Sequence, residues 1–376
     1  MNILHVNMSL DPITGGGTAE RVSQLHMAMS RIKGVSSKIL SIAVSPNSIL
    51  PESEDVVLIP CLNRRWYLPA PKFIAMYKMV KWADVVHLTN HWTVLNVIAH
   101  GFARITGTPY LICPAGALPI FGQSSRLKRW YTNLVGSSLV SHAAAAIVIT
   151  EDESSELSKY DVDKESIYQV PNGVNVEGFM YHNTKLFRDS IALDCEDYLL
   201  FVGRLNVIKG PDILMDAFIT ISSQFPSLHL VFVGPDGGSL DDLQGCVKKT
   251  NLEQRVHFAG YAGGKLKSSA YHGAKLLVIP SRQEAMSIVA LEAGICGVPV
   301  IMTDQCGFRE MTEAGAALEV TVDAQSLAQS IETMLQSPSL LNNMGKRTKR
   351  FVGENYTWEI AARKYVQVCK EVVNEL

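Results

Sequence analysis

Leu199-Leu200-Phe201-Val202-Gly203-Arg204-Leu205-Asn206-Val207-Ile208-Lys209-Gly210-Pro211 is the stretch that decides the fold. A short apolar run is cut by glycine, a turn follows with two cations, and Pro211 fits the first turn of a helix. This is a strand, a loop and a helix start, and it reopens in mid-chain a rhythm already heard once. Upstream, strands are expected at 3–8, 38–43, 56–59, 85–88, 110–113, 145–149 and 167–170, with longer amphipathic segments between them. Downstream they are expected at 199–202, 229–233, 256–259, 276–279 and 298–302. Apolar runs alternating with helices give α/β domains with a doubly wound parallel sheet, and the break in the middle makes two of them in series.

Length agrees. The chain has 376 residues, about two domains of ordinary size. With 47% hydrophobic and 19% charged residues it has ample core material, which excludes disorder as the dominant state. Its 34 basic and 36 acidic residues leave a net charge of −2, so nothing in bulk calls for a polyanion, and nucleic acid is not an expected partner. The cysteines at 61, 113, 195, 246, 296, 306 and 369 never fall in Cys-x-x-Cys spacing and read as buried thiols of a reducing compartment. The amino terminus reads as a first strand with no leader, and the strongest apolar run, 143–149, is far short of the roughly twenty residues that span a bilayer. The expected location is cytoplasmic.

Pro171-Asn172-Gly173-Val174 is a turn, and the polar stretch after it, to about Asp197, is the best linker. The expected domains are 1–175 and 176–356. A final amphipathic helix over 357–376, with Ile360, Ala361, Tyr365, Val368 and Val372 at helical spacing, is expected to pack back on the first domain.

Ligands of such sheets bind beyond the carboxyl ends of the strands. There, Glu284 and Glu292 stand eight positions apart in Ser281-Arg282-Gln283-Glu284-Ala285-Met286-Ser287-Ile288-Val289-Ala290-Leu291-Glu292. Counted at about 100° per residue from Ser287, Glu292 falls at roughly 140°, inside the apolar arc of its helix. A carboxylate there needs a hydrogen-bond partner, which a ribose diol or a buried arginine could supply. The backbone N–H groups near Met286, Ser287 and Ile288 make an anion site at the helix start. Arg204 and Lys209 put two cations near another helix start, which opposes the macrodipole unless an anion is bound, so they read as holding a pyrophosphate. The alternative is solvated loop charges.

Gly15-Gly16-Gly17 allows close backbone approach after the first strand but lacks the dinucleotide fingerprint, because Glu20 stands at the third glycine position. Asp161-Val162-Asp163 matches a short metal-holding pattern but reads as a polar surface turn, so no metal site is expected. Residues 125–139 form a basic amphipathic helix with Leu127, Trp130, Tyr131, Leu134 and Val135 largely on one side. It reads as a domain helix with its apolar face inward, the alternative being a helix on an anionic membrane meeting a lipid-linked acceptor. Arg64-Arg65-Trp66-Tyr67 is a smaller basic and aromatic cluster with the same two readings.

Taken with Ala293, Gly297-Val298-Pro299-Val300 and Tyr356-Thr357-Trp358, these residues resemble the retaining glycosyltransferases of family 4. Those have the GT-B architecture of two facing Rossmann-like doubly wound domains. The resemblance implies transfer of a sugar from a UDP- or GDP-linked donor to an acceptor hydroxyl, with retention and without a metal or other cofactor. The product would be a cell-surface polysaccharide or glycolipid and the acceptor a glycan or lipid-linked; peripheral contact with the inner membrane face belongs to the alternative reading of the basic helix. It implies that Glu292 binds the donor ribose and that Arg204 and Lys209 neutralise the diphosphate. Ser287 and Ile288 would offer amides to it, Glu284 would contact the sugar, and Gly16 and Gly17 would let the first domain approach.

One position departs from the family. Where a His-Gly commonly follows the strand at 110–113, this chain has Pro114-Ala115-Gly116. Either His87 or His91 supplies the missing sugar contact, or the reaction proceeds without it. A nucleotide-sugar epimerase and a non-catalytic nucleotide-sugar-binding subunit are the competing functions.

Overall fold

The computed structural model describes residues 1–118, 129–160 and 162–374. It divides into two compact units, Met1–Gly173 with Trp358–Leu376, and Val174–Thr357.

Among the described residues the first unit holds an eight-stranded sheet in the order β4-β3-β2-β1-β5-β6-β7-β8. Its strands are β1 (Asn2–Ser9), β2 (Ser36–Ala43), β3 (Val56–Asn63), β4 (Leu68–Pro69), β5 (Val85–Thr89), β6 (Tyr110–Cys113), β7 (Ala145–Val148) and β8 (Ile167–Gln169). All pair in parallel except β4, which turns back antiparallel on β3. That two-residue strand is absent from the sequence reading, because so short a run shows no period.

The second unit holds six parallel strands in the order β11-β10-β9-β12-β13-β14. They are β9 (Tyr198–Val202), β10 (His229–Val233), β11 (Val256–Gly260), β12 (Leu276–Ile279), β13 (Val300–Thr303) and β14 (Leu318–Val320). Leu199, Phe201, Leu230, Phe232, Val278 and Ile301 point from this sheet into one core with Leu214 and Phe218 of the helix Pro211–Ile221. Each is at most 2% exposed, and burying such a side chain stabilises by about 1.5–3 kcal/mol.

Three expectations need correction. The polar stretch after Gly173 is not a linker throughout, since the helix Thr184–Ser190 buries Phe187, whose N–H donates to Ser269 Oγ at 2.8 Å. The last strand of the second sheet, β14, lay outside the expected set because its three residues alternate only once. In the basic segment the described residues, from 129, pass through a π-helical turn at Thr132–Gly136. There, Trp130 and Leu134 are 68% and 65% exposed rather than packed inward. Residues 125–128 lie outside the described residues.

The helix Trp358–Asn374 belongs to the first unit and lays Ala361, Tyr365, Val368 and Val372 into its interior. Beside it runs the helix Gly16–Ser30. Arg21 of that helix is 1% exposed and ties the Asn172 turn down, through Asn172 Oδ1 at 2.8 Å and Val170 O at 2.9 Å.

Candidate active site

In an open doubly wound sheet the ligand crevice lies beyond the carboxyl ends of the strands where the strand order reverses. In the second unit that point falls between β9 and β12. The loops leaving those two strands carry Lys209 and Glu284, and Lys209 Nζ lies 2.6 Å from Glu284 Oε1. Ser281 Oγ donates to the same oxygen at 2.6 Å. The carboxylate is 7% exposed and the lysine 34%. Burial raises the Glu284 carboxyl, but the Lys209 ammonium and the bonds from Lys209 and Ser281 more than reverse this, leaving it below its ordinary value and ionised at neutral pH.

The pair is held by backbone. Lys209 ends the turn Val207–Lys209, whose Asn206 cap accepts from Lys209 N at 3.0 Å. Arg282 then latches that turn to the Glu284 loop. Its N–H reaches Ile208 O at 2.7 Å, its guanidinium donates to Val207 O at 2.7 Å, and it grips both carboxylate oxygens of Asp212 at 2.8 and 2.6 Å. From the β13 side Glu284 N donates to Gln305 O at 2.9 Å. Gly307, with φ of 57°, passes so near that a Cβ there would stand 2.3 Å from Ala285 O.

Ser287 caps the helix Ile288–Cys296 through its backbone alone, with no side-chain cap. It is fully buried, and its hydroxyl lies beside the Glu284 carboxylate, which it helps to hold ionised. The N–H groups of Ser287 and Ile288 open the first turn, where helix N–H groups lack internal partners. Arg204 is exposed on the β9 loop, its stem lying against Gly237, 2.7 Å from where a Cβ there would stand.

Glu292 is 6% exposed on the same helix as Ile288. Its partners are not an arginine but Lys267, Nζ to Oε1 at 2.6 Å, and Tyr271, whose hydroxyl donates to Oε2 at 2.6 Å. Both come from the helix Gly264–Gly273. Burial and the neighbouring carboxylate hold the Tyr271 hydroxyl well above its ordinary value, so it stays a donor. Each carboxylate oxygen has room for a further hydrogen bond.

In the first unit the strand order reverses between β1 and β5. Gly16 (φ of 52°) and Gly17 begin the helix after β1, and a Cβ on Gly16 would meet nothing within 4 Å. The loop before them is shaped by Asp11, whose Oδ1 accepts from Ile13 N at 3.0 Å and Thr14 N at 2.6 Å.

His87 is withdrawn from the site. It lies within β5, fully buried, its Nδ1 2.9 Å from His5 Nδ1 on β1, with Tyr365 packed against both rings. His91 does sit in the loop after β5, yet its ring is also fully buried, among Trp92, Tyr131 and Tyr160. Burial lowers it to about 4, and neither ring nitrogen finds a partner among the described residues. It is not open to a sugar as it stands. Ala115 takes a left-handed φ of 53°, and the next residue, Gly116, is pinned by its N–H to Glu153 Oε1, whose other oxygen accepts from Ile149 N at 2.7 Å.

Asp161 lies outside the described residues, and Asp163 caps the turn Lys164–Ser166. Among the described residues no group of three or more His, Cys, Asp or Glu is placed to hold a metal.

Sequence reasoning missed Arg282, Asp212, Lys267, Tyr271, Asp11 and Glu153. Arg282 stood inside the quoted Glu284 block, and Asp212 follows Pro211 in the first helical turn, so their signal was proximity alone. The other four meet their partners through the fold.

The two doubly wound units and their switch-point loops are the GT-B fold. Solved structures agree over the whole chain. A sucrose-phosphate synthase from Thermosynechococcus elongatus superposes with a TM-score of 0.80 at 22% identity, covering 100% of both chains. HepE of Anabaena, solved with UDP and glucose, gives 0.78 at 18% identity over 98% of this chain and 99% of that one. The family described as Glycosyl transferases group 1 matches residues 183–351, and that described as Glycosyl transferase 4-like domain matches 51–173. Together these place the chain in the family 4 glycosyltransferases. A D-inositol 3-phosphate glycosyltransferase of Gordonia bronchialis is 29% identical over 59% of this chain and 51% of its own length. One of Frankia alni is 28% identical over 68% of this chain and 66% of its own length. The chain thus spans about half to two thirds of these curated relatives.

Proposed function

We propose that this protein is a retaining, metal-independent glycosyltransferase that moves a sugar from a UDP- or GDP-sugar to an acceptor hydroxyl, acting from the cytoplasmic side in the synthesis of surface polysaccharide or glycolipid. The observation that carries the reading is the Lys209–Glu284 pair at the switch point, beside the start of the helix Ile288–Cys296. A diphosphate would satisfy the open N–H groups of Ser287 and Ile288. It would also draw on Lys209 and Arg204.

In transfer, the bond from sugar C1 to the diphosphate oxygen breaks and a bond from C1 to the acceptor oxygen forms. The electron pair leaves with the diphosphate and the acceptor proton is released. Charge grows on the leaving oxygen, so fixed cations and helix N–H groups aimed there lower the barrier. Glu284, held as a carboxylate, offers acceptors to sugar hydroxyls, and Glu292 keeps lone pairs for the ribose. In the first unit, Gly16 and Gly17 offer an unobstructed backbone at the β1 switch.

Sugar-nucleotide turnover tests this directly. UDP-, GDP- and ADP-sugars are incubated with glycans, lipid-linked acceptors, an inositol phosphate and a sugar phosphate. Nucleoside diphosphate release that rises with one acceptor supports transfer, and the anomeric configuration of the product by NMR decides retention. Activity abolished by a chelator removes the metal-independent part. A changed sugar on an intact nucleotide would make the protein an epimerase, and donor binding with no turnover a binding subunit, the reading Ala115 favours.

A further inference from the structure

Between Asp55 and Asp84 the chain has no acidic residue but carries Arg64, Arg65, Lys72, Lys78 and Lys81, in a protein whose net charge is −2. The same segment exposes large apolar side chains: Leu62 at 63%, Trp66 at 52%, Leu68 at 40%, Phe73 at 50% and Ile74 at 75%. It forms one continuous piece of the first unit, the β3–β4 hairpin and the helix Phe73–Trp82 that follows it.

Its two sides are sorted. Cys61, Tyr67 and Ala70 of the hairpin, with Met76, Met79 and Val80 of the helix, pack on the core. Leu62, Arg64, Arg65, Trp66 and Leu68, then Lys72, Phe73, Ile74, Lys78 and Lys81, are exposed. Ile74, Lys78 and Lys81 share the helix face away from Met76 and Val80. The hairpin tip is prearranged: Asn63 Oδ1 accepts from Arg65 N at 3.0 Å and Trp66 N at 3.2 Å, and the Arg65 guanidinium lies 5.5 Å from the centre of the Trp66 ring. None of the five bases pairs with a carboxylate among the described residues.

We propose that this hairpin–helix junction docks the protein on an anionic lipid surface, with Trp66, Phe73, Leu62 and Ile74 entering the interface and the five bases meeting the headgroups. Exposed aliphatic side chains lose water contact in a bilayer interface but gain nothing from a phosphate backbone, which favours lipid over nucleic acid. Tryptophan beside arginine suits the boundary, the ring buried and the guanidinium at the headgroup level. The inference stands independently of the sugar transfer.

Sedimentation with vesicles tests it, comparing phosphatidylcholine alone with equal parts phosphatidylcholine and phosphatidylglycerol. Binding is expected only to the anionic vesicles and is expected to weaken as salt rises. R64Q/R65Q is expected to lower partitioning on the order of thirty-fold, from about a five-fold contribution per base near the surface. R64K/R65K, which keeps the charge, is expected to bind like the parent. W66S/I74S is expected to lose roughly ten-fold or more. K248Q/K249Q removes the same charge from exposed positions in the other unit and is expected to bind unchanged. Melting curves check that each variant is folded. The proposal is overturned by equal binding to neutral vesicles, by R64Q/R65Q binding like the parent, by K248Q/K249Q losing as much as R64Q/R65Q, or by binding to duplex DNA with none to vesicles.

Discussion

Lys209 Nζ stands 2.6 Å from Glu284 Oε1 across the two loops that flank the switch between β9 and β12. The cation proposed to meet the leaving diphosphate is therefore already oriented by a buried carboxylate, so little reorganisation is needed when charge develops. Lys209→Ala is expected to lower kcat by about 10²–10³-fold, the scale of losing one preorganised donor. It should change donor affinity much less, because that charge is largest in the transition state. It also leaves Glu284 without its ammonium, at a cost of about 1–3 kcal/mol given the lysine's partial exposure. Steady-state kinetics beside a denaturation curve separate the two effects. Equal losses in binding and turnover would count against the transition-state role.

Glu292 is paired with Lys267 and Tyr271, and the proposed ribose contact would use its remaining lone pairs. Glu292→Ala is expected to weaken UDP binding about ten-fold, read as a smaller UDP-induced rise in melting temperature. Tyr271→Phe removes one donor but keeps the carboxylate, and should lower stability by about 1 kcal/mol with UDP affinity nearly intact. Unchanged UDP affinity in a folded Glu292→Ala protein would remove the ribose assignment.

Apolar runs such as 199–202 and 276–279 announced the strands because both faces of a parallel sheet are buried, and strand composition then differs sharply from loop composition. β4 and β14 escaped because two or three residues carry no period. Lys209 and Glu292 were legible because each breaks a local rule, a cation at a helix start and a carboxylate on an apolar arc; Glu284 was legible only by its place after a strand and its spacing from Glu292. Their partners were not. Lys267 and Tyr271 obey every local rule of their own helix and acquire meaning only when it packs beside Glu292. His87 shows the converse: a histidine in an apolar strand leaves both a sugar contact and a structural role open, and His5 on the neighbouring strand gives it the structural one.

Acid should weaken the first unit. Burial lowers His5 to about 3 and His91 to about 4, and holds His87, which also faces His5, well below its ordinary value. A base whose folded value is depressed gives stability that is complete above its unfolded value of about 6.5 and is lost as pH falls toward the folded value. Between about pH 7 and about pH 5.5 the three together are expected to cost roughly 3 kcal/mol, near 1.4 kcal/mol per group per pH unit. His91→Gln should flatten the dependence of melting temperature on pH by less than a third, because burial also holds His26 and His100 of the same unit below their ordinary values. A variant as acid-labile as the parent would rule out His91 as a contributor.

Arg282 joins the Lys209 turn to the Glu284 loop without facing the switch-point pair itself, so its loss should act through position. Its bidentate contact with Asp212 is partly exposed, and Arg282→Gln is expected to cost about 1 kcal/mol of stability or less. kcat should nevertheless fall about ten-fold, as expected when a catalytic group is slightly displaced. Arg282→Lys keeps the charge but not the planar fork, and is expected to recover stability more than turnover. A drop in turnover no larger than the stability loss predicts at the assay temperature would leave Arg282 as mere scaffolding.

Gly307 gives a steric test of the same loop. Its φ of 57° and the 2.3 Å that would separate a Cβ from Ala285 O combine left-handed strain of about 1–2 kcal/mol with a clash of about 1–3 kcal/mol. Because the clash pushes on the backbone next to Glu284, Gly307→Ala is expected to lower stability by about 2–5 kcal/mol and to cut turnover as well. Gly34 separates the two causes: its φ is 82°, but a Cβ there would meet nothing within 4 Å. Gly34→Ala should therefore cost only the strain, about 1 kcal/mol, with activity unchanged. If Gly307→Ala costs no more than Gly34→Ala and keeps full turnover, the β13 loop does not hold Glu284 in place.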